Sequence, residues 1–231
     1  MSQLCKINLV HCNTEFENIL LLPDSEGPFP AVLLLHEYTG LNQVTVSHAK
    51  RLAAAGYAVL AADFYGIGNR PANIDEARST HRIYRNDRQL MRERAEACFS
   101  VLQDQPEVDP ARIYALGFSF GGGAALELAR TGAKLRGAVS VYGYLDTSHP
   151  ASAGDIKCPL LAVHVNNDPV VPEEHLLMFE QEMKSAEIDY DLIRLDNAQH
   201  GFANPEDAGF DAALAEEMWS TVLGWLQAEL S

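Results

Sequence analysis

Short, mostly apolar segments alternate with amphipathic segments along most of this chain. The apolar segments predict strands over residues 31–35, 57–62, 112–116, 137–142, 160–165 and 190–195. Helical spacing of apolar residues predicts helices over residues 44–55, 89–102, 122–130, 173–186 and 207–230. Strands that are apolar on both faces and alternate with helices are typical of a parallel sheet covered on both sides. We therefore expect an α/β fold, a doubly wound and mostly parallel sheet with helices on both faces and no large cap domain.

The two ends of the chain extend this picture. Residues 6–10 and 18–22 have the pattern of an antiparallel strand pair that leads into the main sheet. The last predicted helix carries an apolar stripe that should pack against the sheet, made of Phe210, Leu214, Met218, Val222 and Trp225. Residues 66–87 are polar and rich in arginine. The chain has no internal repeat and no low-complexity tract, so residues 1–231 are expected to form one domain.

The predicted strand at 112–116 runs into Gly117-Phe118-Ser119-Phe120-Gly121, and a predicted helix follows. A serine between glycines at a strand-to-helix junction has the layout of a nucleophile elbow, a turn too sharp for a Cβ on either side. Such a turn lifts the Ser119 hydroxyl above the sheet, at a helix N-terminus whose free N–H groups favour an anion. The pattern indicates a serine hydrolase.

The charge and composition of the chain exclude some classes of binding partner. The content of 47% hydrophobic and 21% charged residues is ordinary for a globular protein. A formal charge of -15 argues against nucleic acid and against anionic membrane surfaces as partners. No apolar run approaches the roughly 20 residues that span a bilayer, and the first residues do not have the pattern of a secretory signal. A cytoplasmic location is the expectation.

The four cysteines are scattered along the chain without a Cys-x-x-Cys pair; they are Cys5, Cys12, Cys98 and Cys158. This distribution predicts buried thiols rather than bridges or metal ligands. A disulfide between Cys5 and Cys12 stays open as the alternative.

A serine hydroxyl is a weak nucleophile unless a base takes its proton. The candidates for this base are three histidines that lie well beyond the elbow. His200 falls in the predicted loop between the last strand and the last helix, at the carboxyl edge of the sheet where sites form. His164 lies inside a predicted strand, and we expect it to be a core residue with satisfied hydrogen bonds. His175 lies in the first turn of a predicted helix, and we expect it to be exposed. The predicted base is His200.

A carboxylate should orient that base, and in this fold class it precedes the histidine in the chain. Asp168 directly follows the strand at 160–165, and Pro169 stiffens the turn after it. Asp196 also ends a strand and is the alternative, although it suits a turn residue that bonds to local backbone. The predicted acid is Asp168.

The oxyanion that forms on attack needs preorganised donors. The backbone N–H of Phe120, the residue after the nucleophile, is one candidate. The second should come from the loop His36-Glu37-Tyr38-Thr39-Gly40, where the Tyr38 amide is best placed. His36-Glu37 does not extend to the zinc motif His-Glu-x-x-His, because position 40 is glycine. No metal and no cofactor is expected.

These segments together resemble the dienelactone hydrolase family of α/β-hydrolases over almost the whole chain. The resemblance is carried by His36-Glu37-Tyr38-Thr39-Gly40-Leu41-Asn42, the elbow around Ser119, Asp168-Pro169-Val170-Val171-Pro172 and His200-Gly201-Phe202. It implies the α/β-hydrolase fold and a triad of Ser119, His200 and Asp168. It also implies that Glu37 points at the nucleophile from the oxyanion loop.

The elbow residue departs from the family's pattern. The best-known members have cysteine there, where the counterpart of Glu37 helps to generate a thiolate. A serine hydroxyl is far less acidic than a thiol, so Glu37 cannot produce a comparable resting anion at Ser119. Three roles stay open for Glu37: it holds Ser119 or a water, it is partly protonated, or it is only a buried polar residue bonded to loop backbone.

A second departure concerns the substrate. Family members that open dienelactone bind its carboxylate with arginines, one of them four residues past the catalytic histidine, and that position is Asn204 here. Seven of the twelve arginines fall within residues 70–94. Arg78 and Arg82 lie near the position of the family's other carboxylate-binding arginine. They either balance nearby acids on an exposed helix or bind an anionic group of the substrate.

The expected reaction is cleavage of a carboxylic ester or lactone of a small molecule, through an acyl-enzyme on Ser119. If the substrate is anionic, Tyr84 and Phe202 are expected to line its pocket. Acyl transfer and perhydrolysis use the same residues and stay open, as does a non-catalytic ligand-binding role. The expected partner is a small-molecule ester or lactone, and the expected state is a monomer or homodimer.

Overall fold

The apolar segments of the chain pair into one mixed β-sheet. The computed structural model describes residues 3–230, and within this range the sheet has eight strands in the order β1-β2-β4-β3-β5-β6-β7-β8. The strands are β1 Gln3–His11, β2 Thr14–Leu22, β3 Phe29–Leu35, β4 Ala58–Ala61, β5 Val108–Phe118, β6 Gly137–Val141, β7 Leu160–Val165 and β8 Tyr190–Leu195. The β1–β2 and β2–β4 pairs are antiparallel, and the other neighbours are parallel. The expected mostly parallel sheet is confirmed.

Helices cover both faces of this sheet. They are α1 Gln43–Ala54, α2 Ile74–Asn86, α3 Arg88–Gln103, α4 Phe120–Arg130, α5 Glu173–Ser185 and α6 Ala212–Ala228, with a 3₁₀ turn at Ile67–Asn69. Residues of α1 and α6 pack into one hydrophobic core, and residues of α3, α4 and α5 pack into the other. Within residues 3–230, none of the helices has both the length and the hydropathy that crossing a membrane requires.

The arginine-rich segment forms the helix α2. Its first turn is capped by the Asn73 side chain, which accepts a hydrogen bond from the backbone N–H of Glu76 at 2.9 Å. The buried residues of this helix are Ala77 and Tyr84. Because so little of the helix is buried, most of its residues are polar, and this polar character stands out in the sequence.

The last helix begins later than its apolar pattern predicts. The Asp211 side chain accepts hydrogen bonds from two backbone N–H groups of the first turn, which fixes the start of α6 at Ala212. Phe210 therefore lies before the helix and is 41% exposed, so its predicted place on the packing stripe is wrong. The buried side of α6 consists of Ala215, Met218, Trp219, Val222 and Leu226.

All four cysteines are free thiols. Cys98 and Cys158 are buried, as expected, whereas Cys5 is partly exposed and Cys12 is exposed. Cys12 lies at the turn between β1 and β2, at the edge of the sheet, where little covers it. The alternative of a Cys5–Cys12 disulfide is wrong.

The parallel strands bring five loops to one edge of the sheet. In the register of the central strands, Leu35 of β3 pairs with Gly117 of β5, and Gly117 pairs with Ser140 of β6. The carboxyl ends of these strands are therefore level with one another. The loops that leave them, together with those after β7 and β8, contain the candidate site.

Candidate active site

Ser119 occupies a sharp turn between β5 and α4. Its φ is +51°, a left-handed conformation that costs energy for a residue with a side chain. A Cβ on Gly117 would lie 2.0 Å from the carbonyl oxygen of Gly121, and a Cβ on Gly121 would lie 2.2 Å from that of Leu35. The glycines are needed because backbone occupies the space where their side chains would be.

The serine, a histidine and an aspartate form a continuous row of hydrogen bonds. Ser119 Oγ lies 2.8 Å from His200 Nε2, and His200 Nδ1 lies 2.7 Å from Asp168 Oδ2. Since the carboxylate accepts from Nδ1–H, the neutral imidazole has an unprotonated Nε2 that accepts the serine proton. This geometry suits a serine nucleophile with a base already in contact.

The loop after β7 fixes the direction of the Asp168 carboxylate. Its Oδ1 accepts hydrogen bonds from the backbone N–H groups of Val170 at 2.7 Å and Val171 at 3.2 Å, which leaves Oδ2 for the histidine. The residue is only 3% exposed. Asp196, the alternative acid, instead accepts a hydrogen bond from the Asn166 side chain at 2.6 Å and is exposed.

The two other candidate histidines lie elsewhere. His164 is 2% exposed within β7, and neither ring nitrogen has a hydrogen-bond partner in the described part of the chain, so the prediction of a satisfied core histidine is wrong. Glu173, at 3.9 Å, is beyond hydrogen-bonding distance. His175 lies in the first turn of α5 as predicted, but it is partly buried with Nδ1 3.3 Å from Asp146 Oδ1.

The two predicted oxyanion donors lie on segments that meet at the elbow. Phe120 is the first residue of α4, where a backbone N–H has no acceptor within the helix. Tyr38 belongs to the loop after β3, and its carbonyl accepts a hydrogen bond from the Tyr65 hydroxyl at 2.9 Å. Gly121 lies close to Leu35, so this loop packs against the first turn of α4.

His36 anchors the same loop as a neutral side chain. Its Nε2 accepts a hydrogen bond from the Phe64 N–H at 3.3 Å, so the proton lies on Nδ1, which donates to the Glu37 carbonyl at 2.6 Å. Burial lowers the pKa of His36 to about 4, which keeps the ring uncharged at neutral pH. Among residues 3–230, no group of three or more metal-ligating side chains is arranged to hold a metal ion.

The Glu37 carboxylate is bonded to two side chains other than the nucleophile. The Tyr142 hydroxyl donates to Oε1 at 2.8 Å, and Asn204 Nδ2 donates to Oε2 at 2.5 Å. Burial raises the pKa of Glu37, and the two hydrogen bonds work against that rise. Asn204 stands where the resemblance would place an arginine. Its side chain is buried and donates a hydrogen bond to Glu37.

Tyr142 is a site residue that the sequence reasoning did not identify. It directly follows β6 with a φ of +39°, is fully buried, and packs against the His200 ring at a centroid distance of 5.1 Å. Burial, reinforced by the neighbouring Glu37, raises the pKa of Tyr142 well above its ordinary value, so the hydroxyl remains a donor. The sequence did offer one signal for this residue, namely its position at the carboxyl end of β6, the strand that pairs with β5.

A cavity of about 750 Å³ lies between α2, the start of α3 and the loops after β6 and β7. Its lining residues are His81, Arg82, Arg85, Asn86, Arg88, Tyr144, Asp146, Thr147, Ser148 and Val170. The His81 ring lies 5.7 Å from the ring of Tyr38 and 6.3 Å from that of Phe120. Another side of the cavity is lined by Val170, whose backbone N–H donates a hydrogen bond to the Asp168 carboxylate. It therefore extends from the residues around Ser119 without including Ser119 in its lining.

The four predicted substrate contacts have different surroundings. Arg82 is exposed and lines this cavity, whereas Arg78 lies outside it and pairs with Asp75 at 3.4 Å. Phe202 has no exposed surface and Tyr84 is 5% exposed, since both belong to the aromatic packing of the core. Neither of the two lines this cavity, and their role in a substrate pocket stays a prediction.

Comparison with known proteins agrees with this architecture. A crystal structure of a dienelactone hydrolase-like promiscuous phosphotriesterase from metagenomic libraries is 32% identical, with a TM-score of 0.90 over 98% of each chain. A protein of Synechocystis, provisionally named a carboxymethylenebutenolidase, is 25% identical over 97% of this chain and 96% of its own. A Bradyrhizobium protein, provisionally named a 2-oxo-3-(5-oxofuran-2-ylidene)propanoate lactonase, is 26% identical over 91% of this chain and 88% of its own. The model of the dienelactone hydrolase family matches residues 16–230, and the chain belongs to that family.

Proposed function

We propose that this protein is a serine hydrolase that cleaves a carboxylic ester or lactone of a small molecule. The row of hydrogen bonds from Ser119 through His200 to Asp168 is the observation that carries this proposal. Membership of the dienelactone hydrolase family supports the hydrolase class, and the names of the Synechocystis and Bradyrhizobium relatives favour a lactone or an ester.

The first half of the reaction forms an acyl-enzyme. His200 Nε2 takes the hydroxyl proton as Ser119 Oγ attacks the substrate carbonyl, and the carbonyl oxygen becomes an oxyanion. The backbone N–H groups of Phe120 and Tyr38 stabilise this charge, because they are fixed before the reaction begins. The tetrahedral intermediate collapses when the bond to the leaving oxygen breaks, and the imidazolium returns its proton to that oxygen.

Water completes the cycle by the same steps. His200 takes a proton from water, the hydroxide attacks the acyl carbon, and the bond to Ser119 Oγ breaks as the proton passes to the serine. Asp168 holds the histidine in the required tautomer and stabilises its charged form. All of these steps use only groups of the chain and water.

Replacement of the nucleophile tests this mechanism. Ser119→Ala should reduce the turnover of an activated aryl ester by at least about 1,000-fold, because the acyl-enzyme can no longer form. Ser220→Ala, at an exposed position of α6, is the matched control and should turn over like the wild type. A fluorophosphonate probe should label the wild type and the control but not Ser119→Ala. Undiminished turnover or labelling in Ser119→Ala would contradict the proposal.

Acyl transfer and perhydrolysis are the alternatives within the same chemistry. They differ from hydrolysis only in whether an alcohol, a peroxide or water breaks the acyl-enzyme. Product analysis in the presence of a competing alcohol or hydrogen peroxide separates them. A purely ligand-binding protein would bind esters without converting them and would not need the base in contact with the serine.

A further inference from the structure

The peptide unit between Glu37 and Tyr38 carries one of the two predicted oxyanion donors, and its carbonyl oxygen accepts two hydrogen bonds. The Gly40 N–H donates to the Glu37 carbonyl at 3.0 Å and closes a turn over residues 37–40. His36 Nδ1 donates to the same oxygen at 2.6 Å. Because a carbonyl oxygen has two lone pairs, both of its acceptor positions are filled, and the peptide unit is held by two donors.

These two bonds also fix the direction of the Tyr38 N–H. The peptide bond is trans, so its C=O and N–H bonds point in opposite directions and holding the carbonyl aims the N–H. Within residues 3–230, this N–H donates to no backbone carbonyl and is available to an oxyanion. A hydrogen bond accepted by the carbonyl also polarises the amide, which strengthens its N–H as a donor.

The His36 side chain is itself fixed in position. It is 2% exposed, and its ring lies 4.7 Å from the ring of Tyr65 and 6.1 Å from that of Phe120, measured between centroids. The Phe64 N–H donates to Nε2 at 3.3 Å, which leaves the ring proton on Nδ1. His36 is therefore a donor that is oriented before any substrate binds.

We propose that His36 is a positioning residue, which holds the peptide before Tyr38 by its carbonyl so that the N–H faces the oxyanion formed at Ser119. This role rests on the proposed ester hydrolysis and adds a residue outside the triad and the two donors. His36 acts through the orientation and polarity of one peptide unit and needs no contact with the substrate.

Two conservative substitutions separate the two ring nitrogens of His36. The amide nitrogen of Asn is two bonds from Cβ, like Nδ1, so His36→Asn can still donate to the Glu37 carbonyl. The amide of Gln is one bond further out, so His36→Gln keeps an acceptor for the Phe64 N–H and loses the bond to Glu37.

Turnover of an activated aryl ester should distinguish these variants. His36→Gln should lower kcat by about 10- to 100-fold, less than the loss of a whole oxyanion donor, because Gly40 still holds the carbonyl. His36→Asn should keep kcat within about threefold of the wild type, and KM should change little in both variants. Wild-type kcat in His36→Gln, or an equal fall in both variants, overturns the proposal.

His164→Gln is the matched control. His164 is also 2% exposed, but neither of its ring nitrogens has a hydrogen-bond partner in the described part of the chain. The substitution therefore removes no hydrogen bond, and it should leave kcat within about threefold of the wild type. A fall in His164→Gln as large as that in His36→Gln would show that the loss comes from replacing any buried histidine, and it also overturns the proposal.

The Tyr38 amide provides a readout that needs no turnover. In NMR spectra, the nitrogen resonance of a backbone amide moves upfield when the carbonyl of the same peptide unit loses a hydrogen bond. The Tyr38 resonance should move upfield in His36→Gln and keep its wild-type position in His36→Asn. An unmoved resonance in His36→Gln overturns the proposal. If the wild type cleaves no ester, the proposed hydrolysis fails, while this resonance still decides whether His36 holds the peptide.

Discussion

At the scale of single residues, Glu37 shows how the neighbours of a carboxylate define what it can do. A glutamate beside a cysteine can help to form a thiolate, but here the elbow residue is serine. The structure gives both Glu37 oxygens to other partners, Tyr142 and Asn204, so the carboxylate joins the oxyanion loop to the ends of β6 and β8. Its place in the site is that of a partly buried acid held by two donors.

Glu37→Gln should change how stability depends on pH. Because folding raises the pKa of Glu37 above its ordinary value of 4.5, the protonated form is favoured in the folded state. The resulting stabilisation is complete below pH 4.5 and is lost as pH rises through the raised value. Relative to the variant, the wild type should therefore lose unfolding free energy as the pH rises above 4.5, as measured by urea denaturation.

The exposed Glu96 of α3 supplies the control, and Glu96→Gln should follow the wild type across the same range. Parallel pH profiles for the wild type and Glu37→Gln would show that Glu37 titrates as freely in the folded protein as in the unfolded chain.

At the scale of elements, the elbow depends on the close packing of α4 against the ends of β3 and β5. Gly121, in the first turn of this helix, touches the Leu35 carbonyl, and backbone cannot yield as a flexible side chain does. Gly224 in α6 is different, because a Cβ added there meets nothing within 4 Å. The two positions form a matched pair of helical glycines.

Gly121→Ala should lower the unfolding free energy by about 3 kcal/mol or more, since the added methyl group displaces backbone. It should also reduce ester turnover, because Ser119 and the Phe120 amide move with that turn. Gly224→Ala should instead raise the unfolding free energy by up to about 1 kcal/mol through better helix propensity. Thermal and urea denaturation measure both. Equal effects of the two substitutions would contradict the packing argument.

The elements themselves could largely be predicted, and the failures have physical causes. The limits of β7 and β8 coincide with their predicted ranges. β7 is buried along its whole length, as a central parallel strand should be, whereas β8 is an edge strand that exposes Asp191 and Arg194. The start of α6 could not be read from apolar spacing, since the Asp211 cap sets it. The helix α2 buries only two residues and is otherwise polar, so its residues stood out in the sequence as a polar segment rather than as a core element.

At the scale of the whole molecule, buried histidines should make the fold sensitive to acid. His48 is 8% exposed and packs between Phe118 and Trp219. Burial, with a smaller contribution from Arg51, lowers its pKa from 6.5 to about 4. A lowered pKa gives stabilisation that is present above pH 6.5 and is lost as pH falls through 4.

His48→Gln should remove this dependence. Between pH 7 and pH 4 the wild type should lose about 3 kcal/mol more unfolding free energy than the variant, because one pH unit of pKa shift corresponds to about 1.4 kcal/mol. The exposed His149 is the control position, and His149→Gln should behave like the wild type. Urea denaturation at several pH values measures the difference, and identical acid losses in wild type and His48→Gln would disprove it.

The sequence by itself determined the fold class, the elbow at Ser119 and the choice of His200 and Asp168 as its predicted partners. Each of these rests on a local pattern: apolar runs, flanking glycines, and polar residues directly after strands. Chain order and strand ends suffice to place such residues at one edge of a parallel sheet.

Only the tertiary structure decided the partners of Glu37 and the state of the arginines near the cavity. Glu37 meets Tyr142 and Asn204 across 105 and 167 residues of chain, and Arg85 meets Asp146 across 61. Local periodicity carries no information on such pairs, because they depend on strand order and on how each loop packs. Arg85 and Arg88, which belong to the basic segment along the chain, are bound in the fold to the protein's own Asp146 carboxylate.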